Sequence, residues 1–151
     1  MTVAPVLDTV EKLLTAARHP DIADVYRYPY QGQQAVGIKY KSGAKAFIWP
    51  VAGRTPAQPV ELPDDLGDYK PRVKYVLRML VDLLDLAKPD GWQWRVVSVA
   101  EVGDQPTALE LRVNGQPTLL RVTSGGAPAA DSDPADWAGW TYPNDVAAAL
   151  R

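Results

Sequence analysis

Few side chains in this sequence have the types and spacing that catalysis requires. The chain of 151 residues has no cysteine and one histidine, His19, which stands next to Pro20 and Asp21. Asp21 or Asp24 could orient this imidazole as a general base. A simpler role is a favourable contact with the dipole at the C-terminal end of a predicted helix. We therefore predict no catalytic residue and no cofactor, and the absence of cysteine excludes disulfides and thiolate chemistry.

Acidic residues offer two candidate metal sites, both incomplete. Residues 64–68 contain three aspartates, but the segment lacks the glycine at the sixth position and the terminal glutamate of a calcium-binding loop. Asp90 and Glu110, with Arg112 on the same strand as Glu110, loosely resemble the metal-binding signature of restriction-type nucleases, which has lysine where this chain has arginine. A solvated linker with a helix cap and an exposed strand explain the two patterns, so no metal is predicted. A metal-dependent hydrolase is the third functional alternative.

Basic residues accumulate on the predicted strands, among tyrosines and tryptophans. Such a sheet face could bind single-stranded nucleic acid through charge and base stacking. The candidate residues are Arg27, Lys39, Lys41, Lys45, Trp49, Arg95, Arg112 and Arg121. The net charge of −2 weighs against this function, because nucleic-acid-binding domains usually carry a basic excess. Nucleic-acid binding is therefore the second functional alternative.

Two main helices and six strands are predicted to position these residues. Apolar residues at a spacing of three and four predict helices at about Pro5–Arg18 and Lys70–Lys88. Alternation and β-branched or aromatic residues predict strands at Ile22–Tyr30, Ala35–Lys41, Ala44–Val51, Trp92–Val102, Thr107–Val113 and Gln116–Thr123. Ser42-Gly43 and Asn114-Gly115 have the composition of hairpin turns. A short helix is predicted at Asn144–Arg151, with Trp137 and Trp140 packing the tail onto the body.

The element order predicts one α+β domain, in which a twisted antiparallel sheet of about six strands has both helices packed on one face. Residues 1–53 and 70–123 each contain one helix followed by three strands. This αβββ-αβββ order suggests an internal duplication with an offset of about seventy residues. The proline-rich residues 54–69 predict an extended linker without helix or strand, and residues 124–151 predict a mobile segment followed by the short helix.

The second helix carries more apolar surface than packing on a sheet requires. Tyr75, Met79, Val81 and Leu86 widen its apolar face beyond the residues that would contact the strands. Apolar and aromatic residues are enriched at the centres of protein interfaces. We therefore predict a non-enzymatic protein-protein interaction or adaptor module, chaperone-like and homodimeric. These four residues are its first candidate partner-binding site, and the exposed sheet face and the linker are the alternatives.

In element order alone, the chain resembles the small acidic chaperones of secretion systems and their YbjN-like relatives, which pair helices with a curved antiparallel sheet. The resemblance implies a chaperone-like function. The N-terminus has no basic region followed by an apolar run, and no stretch approaches eighteen apolar residues. We therefore expect neither a signal peptide nor a membrane span, and we predict a cytoplasmic location.

Overall fold

A computed structural model of the chain describes residues 4–30, 32–41, 43–52, 57–59, 71–99, 108–126 and 141–150. Two α-helices are present in these ranges, α1 (Ala4–Ala17) and α2 (Pro71–Ala87). The strands are β1 (Ile22–Tyr30), β2 (Gln33–Tyr40), β3 (Ala44–Ala52), β4 (Ala57–Pro59), β5 (Trp92–Val99), β6 (Ala108–Val113) and β7 (Gln116–Gly126). No described helix is long and apolar enough to cross a membrane.

All the strands belong to one antiparallel sheet in the order β1-β2-β3-β7-β6-β5-β4. The predicted fold class, α+β with six main strands and two helices, is confirmed. The seventh strand, β4, corrects the prediction that the linker contains no strand, because Ala57–Pro59 pairs with β5 at the sheet edge. Proline is tolerated at an edge, where its missing N–H is not needed by a further strand. Residues 53–56 and 60–70 of the linker region lie outside the described residues.

Both helices pack on the same face of the sheet. Helix α1 lies on β1 and β2, and α2 contacts β3, β5 and β7. Because strand side chains alternate between the two faces, Ile38, Ile48 and Leu120 point toward the helices and are fully buried. The helices contribute apolar residues at helical spacing to the same core, which are Val6, Leu7, Val10, Leu13, Leu14 and Ala17 of α1 and Val76, Leu77, Met79, Leu80, Leu83 and Leu84 of α2.

The αβββ-αβββ order is visible in the structure, and the two halves share details of their turns. Helices α1 and α2 are each followed by a non-glycine residue with a positive φ, Arg18 (50°) and Lys88 (46°). The next turn is closed by matching hydrogen bonds, from Ile22 N to His19 O (3.1 Å) and from Trp92 N to Pro89 O (3.2 Å). Each of these residues in the first half has its counterpart 70 residues later, for example Arg18 and Lys88. The offset of about seventy predicted from the sequence therefore appears in the backbone.

The C-terminal part differs from the prediction in two places. Residues 124–126 were expected to be mobile, but they extend β7 beyond its predicted end at Thr123. They pair with residues 44–46 of β3, which supplies their backbone hydrogen-bond partners. The short terminal helix is a 3-10 helix, Val146–Leu150, whose Val146 is buried against α1 and α2. Trp137 and Trp140 lie outside the described residues.

Candidate functional site

The face of the sheet opposite the helices, which we call the distal face, carries most of the predicted basic and aromatic residues. On β2, Lys39 lies between the core residues Ile38 and Tyr40 and therefore points to the distal face. The same alternation applies on β3, where Ala46 and Ile48 belong to the core. The distal-face residues of the first three strands are Asp24, Tyr26, Tyr28, Ala35, Gly37, Lys39, Lys45, Phe47 and Trp49.

Three rings on the distal face are in mutual contact. The ring centroids of Tyr28 and Phe47 are 4.8 Å apart, those of Tyr28 and Trp49 6.1 Å, and those of Phe47 and Trp49 6.2 Å. The indole N–H of Trp49 donates to Thr123 Oγ1 at 2.9 Å, which ties the rings to β7. All three side chains are half-buried. We call Tyr28, Phe47 and Trp49 the aromatic cluster.

Tyr26 extends the aromatic cluster onto β2. It is the cross-strand partner of Gly37, and its ring fills the space above that glycine. Burial, with the nearby Asp24 carboxylate adding to the effect, raises the pKa of the Tyr26 hydroxyl. The phenol therefore stays protonated and can serve as a hydrogen-bond donor at physiological pH.

Three cations flank these rings. Lys39 and Lys45 are direct cross-strand partners on β2 and β3, and Arg121 of β7 is the direct partner of Trp49. Within the described parts of the chain, none of the three forms an ion pair. The structure thus brings Lys39, Lys45, Trp49 and Arg121 together, as the sequence-based hypothesis of a basic and aromatic sheet face requires.

Arg95 and Arg112 also lie on the distal face, but an acid accompanies them. Glu110 Oε1 accepts a hydrogen bond from Arg95 Nε at 2.8 Å and lies 3.8 Å from Arg112 Nε. With Gln93 and Trp94 these residues line a shallow cavity of about 200 Å³. The carboxylate reduces the positive potential that the two guanidinium groups would otherwise present.

Arg27 does not belong to the distal face. It is the cross-strand partner of the core residue Val36 and points toward α1. Its guanidinium forms an ion pair with Asp8, and its Nε lies 3.6 Å from Glu11 Oε1. It also donates to Gln34 Oε1 at 2.8 Å. These contacts hold α1 on the edge of the sheet. Lys41 is exposed at the end of β2, where its backbone N–H donates to Asp21 O at 2.9 Å.

The residues predicted to bind a partner on α2 do not form one exposed surface. Met79 is fully buried in the core between the helices and the sheet, so it cannot contact a partner without unfolding of that region. Val81 is half-buried against the core, whereas Leu86 is 49% exposed. The side chain of Tyr75 lies outside the described parts of the structure. The helix is more completely covered than its composition suggested, because the 3-10 helix packs on it as well as the sheet.

His19 is buried rather than exposed at the end of α1. It is 4% exposed, and its Nδ1 accepts the backbone N–H of Asp21 at 3.1 Å. Burial, opposed in part by the Asp21 carboxylate, lowers the pKa of His19 from 6.5 to about 4. The expectation of a surface histidine that interacts favourably with the helix dipole is therefore wrong, because a neutral imidazole carries no charge for that interaction.

The acidic pair of the nuclease-like pattern is dispersed. Glu110 is aligned with Arg95 on β5, whereas Asp90 lies in the turn before that strand. The strand begins at Trp92, three residues or about 10 Å from Arg95 at the rise of a strand. Two carboxylates at that separation cannot share one metal ion. No group of three or more histidine, cysteine or acidic residues is close enough to hold a metal among the residues described. The aspartates of residues 64–68 lie outside that part of the chain.

Sequence reasoning named Trp49 as a site residue and noted Tyr28 among the aromatic residues of the strands, but it assigned neither Tyr28 nor Phe47 to the site. The sequence signal that could have assigned Phe47 to the site was the alternation of side chains along β3. Phe47 and Trp49 are two and four residues from the charged Lys45 and therefore share its face. That signal is weak, since Ala46 and Ile48 make the other face of β3 apolar too. The register with β2 and β7 shows which side chains share a face, and the packing of the helices on Ala46 and Ile48 shows which face is covered.

Comparison of this chain with known protein families, with curated proteins and with solved structures found no match. Its similarity in element order to the secretion-system chaperones therefore stays a prediction.

Proposed function

We propose that the protein is a non-enzymatic protein-binding module that contacts its partner through the distal face of the sheet. The observation that carries this proposal is the aromatic cluster, three rings in contact on a face that α1 and α2 do not cover. The main core includes none of the three, as far as the described residues define it. Aromatic residues with arginine nearby are the composition of interface centres.

Self-association through the same face has an electrostatic cost. A two-fold axis that passes near Lys39, Lys45 and Arg121 would bring these cations of one copy toward those of the other, and such like-charge contacts disfavour association. The homodimer predicted from the sequence therefore needs another surface, and Leu86 on α2 is the exposed apolar residue to test. Light scattering of the wild type and of Leu86→Lys tests it: a dimer mass that the variant loses supports this surface, and a monomer at every concentration excludes it.

Binding of single-stranded nucleic acid is the alternative function. It is favoured by the three cations beside the aromatic cluster, none of which forms an ion pair with another described residue. Two observations place it second. The rings contact one another at tilted or perpendicular angles, so they do not form a row of separate stacking platforms. In addition, Asp24 and Glu110 lie on the same face. A nucleic-acid backbone carries a charge at every nucleotide and would meet these carboxylates as well as the cations, whereas a peptide can carry its charges at the cations alone.

Site-specific photo-crosslinking in cells of the source organism tests the proposed function. A photoreactive amino acid replaces Asp24, which is exposed on the distal face near Tyr26, or Thr15, which is exposed on α1 as the matched control. We expect a discrete protein adduct from position 24 that is weak or absent from position 15 and is lost in a Trp49→Ala background. Equal adducts from both positions, or adducts to nucleic acid from position 24, would contradict the proposal.

A further inference from the structure

We infer that the distal face binds an extended acidic segment of the partner protein, with carboxylates at Lys39, Lys45 and Arg121 and an apolar side chain on the aromatic cluster. The inference rests on the proposed function and specifies the chemistry of the partner. Three observations support it. They are a pair of like charges that no ion pair among the described residues compensates, the spacing along β3 between Lys45 and the Trp49–Arg121 pair, and the features that disfavour strand addition at the neighbouring sheet edge.

The uncompensated pair is Lys39 with Lys45. They are directly opposite on adjacent strands, an arrangement that destabilises a sheet when the charges are alike. Asp24 faces Lys39 from the other side, yet no ion pair joins it to either lysine in the described chain. A carboxylate placed between the two ammonium groups would remove this repulsion and accept two charge-assisted hydrogen bonds.

The spacing along β3 suits an extended peptide. Lys45 and Trp49 are four residues apart on one strand, which is about 13 Å at the strand rise, and Arg121 lies directly opposite Trp49. Phe47 lies between them, in contact with Trp49 and Tyr28. A segment of about four or five extended residues covers this distance. The expected pattern is an acidic residue at each end and an apolar or aromatic residue between them.

The edge of the sheet beside this face is poorly suited to capture a strand. β1 is the edge strand, and its register is interrupted by an irregularity between Ile22 and Asp24. Pro29, near the other end of β1, lacks the N–H that a new strand would require. Bulges and prolines are the devices by which proteins protect sheet edges from strand addition. The partner segment is therefore expected to lie across the distal face, with its side chains making the contacts.

Selection from a displayed library of random peptides tests the inference with the whole chain as bait. The charge variant is the double substitution Lys39→Gln and Lys45→Gln, and the ring variant is Trp49→Ala. The matched control is Lys12→Gln, an exposed lysine on α1. Circular dichroism and thermal unfolding verify that each variant folds. Loss of the like-charge repulsion should leave the charge variant at least as stable as the wild type, so weaker binding by it cannot be attributed to misfolding.

The outcomes distinguish this inference from the proposed function. Selected peptides with acidic residues flanking an apolar one, whose Kd rises about tenfold or more in the charge variant and in high salt but not in Lys12→Gln, support it. Peptides without acidic residues that bind the charge variant normally but fail on the ring variant overturn the inference and leave the proposed function standing. Equal selection on wild type and ring variant overturns both. Oligothymidylate binding without any selected peptide also overturns both and favours the alternative.

Discussion

The ring of Tyr26 occupies the space that a β-carbon on residue 37 would need. A β-carbon built on Gly37 would lie 2.5 Å from Cζ of Tyr26 and 2.6 Å from Cε2, closer than carbon atoms can approach. Gly37 is not among the glycines with positive φ, so its backbone conformation is accessible to other residues. The glycine is required because it receives the tyrosine ring, which in turn borders the aromatic cluster.

Gly37→Ala should therefore destabilise the protein by about 1 to 3 kcal/mol, the usual range for overpacking. Urea unfolding measures the effect. In a Tyr26→Ala background the same substitution should be neutral or stabilising by up to about 1 kcal/mol, since alanine is favoured over glycine within a strand when nothing obstructs it. An equal loss in both backgrounds would show that the ring is not the obstacle.

Arg27 and Arg121 should respond differently to the same substitution, although both were predicted for one surface. Arg27→Gln removes charge-assisted contacts to α1 from a guanidinium that is 22% exposed, and we expect a loss of about 1 to 3 kcal/mol. Arg121 is exposed, so Arg121→Gln should change the free energy of unfolding by less than about 0.5 kcal/mol. Chemical denaturation of the two variants provides the comparison, and equal losses would contradict the assignment of Arg27 to the α1 contact.

The buried imidazole of His19 should make stability depend on pH. Its pKa is about 4 in the folded protein and near 6.5 in the unfolded chain, so the unfolded chain binds the additional proton between these values. The free energy of unfolding should therefore be fully retained above pH 6.5 and fall as pH decreases toward 4, by on the order of 3 kcal/mol in total. In His19→Gln this part of the pH dependence should disappear, as urea titrations from pH 7.5 to about 4 will show. Identical curves for the two proteins would exclude the mechanism.

Asp82 and Tyr142 connect α2 to the C-terminal part of the chain. Tyr142 Oη donates to Asp82 Oδ2 at 2.9 Å. Burial raises the pKa of Asp82, although this bond and the Arg78 cation act in the opposite direction. The pKa of Asp82 is higher in the folded protein than in the unfolded chain, so protonation of Asp82 stabilises the folded state. This stabilisation is fully present below the unfolded pKa and is lost as pH rises through the folded pKa.

Asp82→Asn should therefore be at least as stable as the wild type at pH 7, because the amide oxygen can still accept the tyrosine proton without a buried charge. Any gain should diminish in acid, where Asp82 is protonated in both states. Tyr142→Phe, which leaves the carboxylate without its donor, should lose about 1 kcal/mol at pH 7. Thermal unfolding of both variants at pH 7 and pH 3 checks this, and a strongly destabilised Asp82→Asn would mean that the charge itself is needed.

Element types were predictable because they depend on local periodicity. The three-and-four spacing around Leu13-Leu14 and Leu83-Leu84 placed both helices to within a residue or two, and the turn signals at Gly43 and Asn114-Gly115 placed both hairpins. The strand predictions failed at two short segments whose composition is unusual for a strand. Residues 57–59 contain a proline, and residues 124–126 end in two glycines, so neither resembled a strand until its pairing was known.

The site was predictable in part. Lys39, Lys45, Trp49 and Arg121 were named from composition, and the structure places them on one face. Arg27 is also an arginine on a strand of this sheet, like Arg121, but its side chain points to the face that the helices cover. The irregularity between Ile22 and Asp24 sets the facing of β1 relative to β2, and a single-residue shift of this kind reverses the face of every later side chain. Local alternation separates Val25 and Arg27 from the neighbouring tyrosines, but it leaves open which of the two sets faces the helices.

Local sequence alone is enough to establish that this chain has two similar halves, each a helix followed by strands, and that its strands carry cations and aromatic rings. Those properties depend on neighbours within a few residues. Tertiary structure decided that β3 pairs with β7, which brings Trp49 beside Arg121 and Thr123 from a distant part of the chain. It also decided that the helices cover the Ile48 face, so that Met79 is enclosed and the aromatic cluster is not. β3 is apolar on both sides, and only the packing of the whole domain selects which side becomes core.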